Sequence, residues 1–335
     1  MAARRPLEGV RRILLVKLRA IGDAVLTLPS VQALHQGFGG AAISVVCPLA
    51  SARVYAEDPR VAEIIPYDRA RLRHLAEHRA LWAVLRSRRF DLAVCLHASF
   101  RTALLGWASG APRRSVRNHS GPDWFSTLKA VEPKEPKSII QRDFDALRAC
   151  GLVPSDEQPS LALPAAARAA AARRLKAWKL KGRPVLLFPG AGKLEKRWPQ
   201  ARFLGLAQGL RKAGFAPVLL GGPGEPDLAE AAAAAGARFD RVEDLKELGA
   251  VAALAGAAIG NDSGPRHIAA ASGARTLTLF GPESLREWHP YRRQDGHWAV
   301  QAPRGDVASL GLDEVLGRAR AWLSSGRRSS AHSSR

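Results

Sequence analysis

The chain has 335 residues, 47% of them hydrophobic, enough for a substantial core and suited to two domains. Its cysteines, Cys47, Cys95 and Cys150, are odd in number and far apart, which argues against a disulfide framework and against a zinc-ligand set. The formal net charge of +21 is shared by both halves, with 24 Lys and Arg against 13 Asp and Glu in residues 1–155, so it is no basic tail. A field of that sign favours polyanions: nucleic acid, an anionic membrane, or a phosphorylated or carboxylated substrate.

Short apolar runs alternate with helical patterns along the chain, the signature of parallel α/β architecture. The first run, 13–16, reads as a strand, and Lys17, Arg19 and Asp23 interrupt it too early for a secretory h-region. Next come a helix at 23–36, strands at 43–46 and 64–66, a helix at 69–88, a strand at 92–96 and helices at 101–109 and 138–150. Pro154, Pro159 and Pro164 mark a linker over 153–164, followed by an Ala- and Arg-rich helix at 165–180. The alternation then restarts, with strands at 185–188, 217–220, 257–259 and 276–280 and helices at 200–213, 225–235, 244–255, 263–272 and 312–323. The longest uncharged apolar run, 249–260, is well short of the ~20 residues a spanning helix needs, so a cytoplasmic protein is expected. Residues 326–335, rich in Ser and Arg, read as a solvated, disordered tail.

Three segments follow strands and combine Gly with polar or charged residues, at the strand exits where open parallel sheets bind ligands. In Lys17-Leu18-Arg19-Ala20-Ile21-Gly22-Asp23, Asp23 either caps the next helix or faces a ligand as a proton-accepting carboxylate. The Gly-rich run from Phe188 to Pro199 carries Lys193, Lys196 and Arg197, and either holds a diphosphate or is a solvated basic turn. It lacks the Lys-Ser/Thr ending of a Walker loop. The third, Gly260-Asn261-Asp262-Ser263-Gly264-Pro265-Arg266-His267, opens a helix whose first amides suit an anion. Its plainer reading is an Asp or Ser cap with a His267 that merely packs.

Together and in order, "K-L-R-A-I-G-D-A-V-L-T-L-P", "P-G-A-G-K-L-E-K-R-W-P" and "N-D-S-G-P-R-H-I-A-A-A-S-G" resemble the signature set of glycosyltransferase family 9. The best-known members of that family are the ADP-heptose:lipopolysaccharide heptosyltransferases. The following "T-L-T-L-F-G-P" is similar to the family's last strand and turn, and the resemblance runs from about residue 13 to 323.

The resemblance implies an α/β GT-B fold of two Rossmann-like domains whose parallel sheets face a central cleft. An acceptor domain would span 1–155 and a nucleotide-sugar domain 165–325. It also implies inverting, metal-independent transfer with no cofactor. Asp23 matches the family's proposed base and Lys196 its diphosphate-binding lysine. Asp262, Ser263, Gly264 and Pro265 match the donor loop, with His267 after it and Gly192 in the preceding Gly-rich loop. Glu225, in "G-G-P-G-E", resembles the acidic residue that binds the adenosine ribose.

Arg19, Arg101, Arg113, Arg114 and Arg117 are the candidates for an anionic glycolipid acceptor; a basic surface helix is the alternative for the 113–117 cluster. Two departures bear on the acceptor. The segment from Arg101 to Trp124 follows the family pattern loosely, and Gln301-Ala302-Pro303-Arg304-Gly305 replaces a Cys-containing segment. The expected partners are ADP-heptose or a related nucleotide sugar, the glycolipid, and the inner-membrane surface in peripheral contact. A family member using another nucleotide sugar for a different surface glycan is the alternative. Nucleic-acid binding, suggested by charge, has no helix-turn-helix, zinc-finger or RRM-type motif behind it.

Overall fold

The computed structural model describes residues 6–72, 74–117, 124–129, 135, 137–222, 225 and 227–330. The chain divides into two compact units, Met1–Pro159 and Ser160–Arg335.

Unit 1 starts with β1 (Arg12–Val16), whose Ile13, Leu14, Leu15 and Val16 are all fully buried. A strand apolar on both faces belongs at the centre of a covered parallel sheet. After it come α1 (Ile21–Leu26), α2 (Leu28–Gly37), β2 (Ala42–Pro48), α3 (Leu49–Tyr55), β3 (Val61–Tyr67), α4 (Leu75–Ser87), β4 (Leu92–Cys95), α5 (Phe100–Ala108), β5 (Arg113–Val116) and α6 (Ile139–Arg148). The strands pair in parallel in the order β3-β2-β1-β4-β5. Chain direction across the sheet therefore reverses between β1 and β4, the switch point where such sheets hold ligands. Helix α6 is started by a capping box, with Ser138 Oγ accepting from the Gln141 amide and Gln141 Oε1 from the Ser138 amide.

Unit 2 contains α7 (Ala165–Trp178), β6 (Arg183–Phe188), α8 (Gln200–Lys212), β7 (Phe215–Gly221), α9 (Ala229–Ala234), β8 (Arg238–Arg241), α10 (Leu245–Ala255), β9 (Ala257–Asn261), α11 (Gly264–Ala271), β10 (Arg275–Phe280), α12 (Leu285–Trp288), β11 (His297–Gln301) and α13 (Leu312–Ser330). Its order, β11-β10-β9-β6-β7-β8, puts the switch point between β6 and β9. One core joins the sheet to α8 and α13 through Leu187, Phe203, Leu206, Ile259, Leu277, Val315 and Trp322. Between α10 and β9, Gly256 takes the left-handed conformation (φ +74°) that ends the helix, at little cost without a Cβ.

Several elements differ from expectation. The helix expected at 23–36 breaks at Thr27, whose hydroxyl donates to the Asp23 carbonyl at 2.9 Å, while Pro29 has no amide to continue the ladder. Residues 113–116, weighed as a basic helix, are strand β5, with Ser115 and Val116 turned inward. The last helix runs on to Ser330, through the start of the expected tail. Within the expected acceptor segment, residues 118–123 lie outside the described residues, as do 223 and 224 beside Glu225 and the tail's 331–335.

Candidate active site

In unit 1 the polar groups gather at the exits of β1, β4 and β5. Lys17, one residue past β1, is buried and donates to Asp143 of α6 at 2.6 Å. The other oxygen of Asp143 takes Arg117, just past β5, at 3.3 Å, and Arg117 also reaches the Leu96 carbonyl at 3.4 Å. A fully buried carboxylate between two cations is stable only when so paired. Burial pushes the Asp143 carboxyl up, against the pull of Lys17 and Arg117.

Asp23 stands in the first turn of α1, 8% exposed, with Arg19 Nε 3.2 Å from its Oδ1. The cap position of α1 is Ala20, so Asp23 does not cap the helix. Ser51 fixes the loop by donating to the Arg19 carbonyl at 2.8 Å. His97 follows β4. Burial and then the charges of Arg19 and Lys17 push its imidazole down to about 4, against the pull of Asp23. Its Nδ1 is buried and has no hydrogen-bond partner among the described residues.

In unit 2 the β6 and β9 exits meet. Asn261, fully buried at the end of β9, donates to the Pro189 carbonyl at 2.7 Å and accepts from the Trp198 amide at 3.0 Å. Arg197 closes the same loop onto the Ala191 carbonyl at 2.7 Å. Trp198 anchors it in the core, edge-on to Phe203 with centroids 5.0 Å apart. Thus held, Lys196 reaches Asp262 Oδ2 at 2.8 Å and Glu283 at 3.0 Å.

Asp262 Oδ1 takes the guanidinium of Arg266 at 2.9 Å. Arg266 is fully buried between the rings of Phe280 and Tyr291, and its Nη2 also lies 2.8 Å from His267 Nε2. His267 Nδ1 in turn meets the Tyr291 hydroxyl at 2.6 Å. Burial alone would raise the Asp262 carboxyl; the His267 contact, the Arg266 charge and Lys196 outweigh it and hold it well below the usual carboxylate range.

Ser263 is the cap residue of α11, yet its side chain makes no capping bond and its buried Oγ has no partner among the described residues. Pro265 lacks an amide, so Gly264 and Arg266 present the first-turn N–H groups. Glu225 accepts from the Gly222 amide at 2.9 Å, and its carboxylate lies where a Cβ on Gly190 would sit. Gly192 faces open space.

Thus the structure brings Arg19, Asp23 and Arg117 to one end of the first sheet. It brings Lys196, Asp262, Ser263, Gly264, Pro265 and His267 to one end of the second, and seats Glu225 on the loop that carries Gly192. It does not bring Arg113 and Arg114 into the first group, while Arg101 stands in the first turn of α5, four residues past His97. Arg113 holds the Glu8 carbonyl at 2.7 Å, Arg114 holds the Ala111 and Phe125 carbonyls, and Arg101 is exposed on α5.

The sequence alone assigns no role to Lys17, His97, Asp143, Asn261, Arg266 or Glu283. For Asp143 a signal was present: it interrupts the apolar face of Ile139, Ile140, Phe144 and Leu147, where a carboxylate requires a partner.

Residues 78–307, more than half of the chain, match the family model described as glycosyltransferase family 9 (heptosyltransferase). Lipopolysaccharide heptosyltransferase 3 of Escherichia coli is 25% identical over 320 residues, covering 92% of this chain and 93% of that protein. Lipooligosaccharide heptosyltransferase 2 of Haemophilus ducreyi is 28% identical over 305 residues, covering 84% and 87%. A family 9 glycosyl transferase from Veillonella parvula superposes with a TM-score of 0.80 at 21% identity, covering 95% of this chain and 99% of that one. E. coli ADP-heptose LPS heptosyltransferase II does so with 0.77 at 23%, covering 94% and 99%. At these identities the solved structures bear on fold, which is α/β of the GT-B type, with two parallel sheets. The chain belongs to glycosyltransferase family 9.

Proposed function

We propose that the protein is an inverting, metal-independent heptosyltransferase. In this reading it moves heptose from ADP-heptose to a Kdo or heptose residue of the lipopolysaccharide inner core at the cytoplasmic face of the inner membrane. The curated relatives' names support the sugar and the pathway. The observation that carries the donor half is Lys196 on Asp262 at the head of α11, where the next residue, Ser263, has an Oγ with no partner among the described residues.

Unit 2 then holds the donor. Glu225 accepts from the ribose hydroxyls, while Lys196, Ser263 and the first amides of α11 meet the diphosphate. Unit 1 supplies the acceptor chemistry. An acceptor hydroxyl attacks the anomeric carbon from the face opposite the diphosphate, and Asp23 takes its proton. As the new C–O bond forms, the bond to the diphosphate breaks and ADP leaves. The charge gathering on ADP is met by groups already in place, which is what gives fixed donors their catalytic value. Arg19, Lys17 and Arg117 give the β1 exit a positive field for an anionic acceptor, and His97, neutral near pH 7, offers a lone pair to a sugar hydroxyl.

Calorimetry in excess EDTA, comparing ADP-heptose with UDP-, GDP- and other ADP-sugars, tests this reading. ADP-heptose should bind most tightly with the metal removed, and Lys196→Ala should weaken it by about tenfold or more, the scale of one charge-assisted contact. Lys193→Ala should do less, since Lys193 is exposed and its charged partners among the described residues are Glu195 and Glu283. Preference for another nucleotide sugar would turn the assignment to a different surface glycan, and loss of binding in EDTA would overturn metal independence.

A further inference from the structure

Helix α5 turns Thr102, Ala103, Leu105, Gly106 and Ala108 into the core of unit 1. Its opposite side is not polar. Phe100, Leu104 and Trp107, spaced i, i+4, i+7, form one outward stripe, with Phe100 70% and Trp107 45% exposed. Phe125 packs edge-on against Phe100 at 5.6 Å, and Trp124 beside it is 81% exposed. Among the described residues, cations stand at the stripe's margins: Arg101 is exposed beside it, and Arg86 of α4 lies 6.0 Å from the Trp107 ring. On the same side of α4 as Arg86, Arg79 is exposed together with Leu75. Large aromatics ringed by arginines suit the boundary between headgroups and acyl chains, where the rings enter and the guanidiniums meet phosphate.

We propose that this outer face of α5, with Trp124 and the neighbouring side of α4, docks the protein on an anionic phospholipid bilayer. The inference rests on the reading that the acceptor is lipid-anchored. The stripe begins three residues after His97, so the docked face lies next to the β1 and β4 exits where the acceptor would be used. A second copy of the chain fits the surface poorly, because Arg79, Arg86 and Arg101 would face their own kind. The approach is long-range and electrostatic, so salt weakens it, whereas the aromatic insertion gives residence once contact is made.

Flotation of the full chain with phosphatidylglycerol/phosphatidylcholine vesicles, at low and high salt, tests the proposal. Wild type should float with the anionic vesicles at low salt, lose most binding at high salt, and stay at the bottom of the gradient with pure phosphatidylcholine vesicles. Phe100→Ser with Trp107→Ser should lower the bound fraction at least fivefold, with calorimetric ADP-heptose binding unchanged and the protein still folding cooperatively, at a melting temperature lowered by the lost ring contacts. Arg79→Glu, which alters no apolar contact, should weaken low-salt binding in the same direction. Variants that float like wild type would overturn the proposal, as would wild type that stays down. So would sedimentation velocity showing a wild-type dimer that the double substitution dissociates. A protein that floats as expected but ignores ADP-heptose would sink the proposed function and leave the docking face standing.

Discussion

In the proposed reaction Asp23 takes the acceptor's proton, and its side-chain partner among the described residues is Arg19. Arg19 takes Oδ1 at 3.2 Å, and the cap of α1 belongs to Ala20. Asp23→Asn keeps the shape and removes the base, so turnover should fall by about 10²–10⁴ while ADP-heptose affinity stays within twofold. Near-normal turnover in a single-turnover assay would return Asp23 to a structural role. The residues of the three Gly-containing segments were legible because each sits within a few positions of a strand end, and local order fixes where such residues go. His97, Asp143 and Glu283 were not. Each acquires its meaning from a partner far along the chain, such as Lys17, which is 126 positions from Asp143.

At the scale of elements, the loop after β6 and the loop after β7 share one volume. A Cβ on Gly190 would fall 1.6 Å from Glu225 Oε1, so Gly190→Ala must swing Glu225 off the Gly222 amide. The expected result is about threefold to tenfold weaker ADP-heptose binding, matching Glu225→Ala, with little change in melting temperature. A Gly190→Ala variant that binds like wild type in calorimetry would show that Glu225 does not touch the nucleotide. The central strands β1, β6, β9 and β10 were visible as apolar runs because both faces are covered. Edge strands β5, β8 and β11 were not. One flank of each lies outside its sheet, which lets Arg113, Arg238, Arg241 and Gln301 sit in them and erases the run.

The molecule as a whole carries partly or fully buried imidazoles in both units, and they contribute to its response to acid. Burial, then nearby cations, hold His97 and His297 at about 4 and His289 at about 3, against an ordinary value of 6.5. Between those values the unfolded chain binds protons that the folded chain refuses. Their contribution to stability is therefore complete above about pH 6.5 and is lost as pH falls toward 4. Scanning calorimetry should show melting temperature dropping from pH 7 to pH 5, and His289→Gln with His297→Asn should flatten the share belonging to unit 2. A melting temperature constant across that range would contradict the neutral state of these rings.

The Lys17–Asp143 pair sets a timetable as well as a geometry. Lys17 is synthesised 126 residues before the carboxylate that neutralises it, an interval of roughly 6–25 s at ordinary translation rates. Until α6 leaves the ribosome, a sheet already formed from β1 to β5 would hold an unmatched ammonium in its interior. The buried pairing of the first unit thus becomes complete only when its last helix is made.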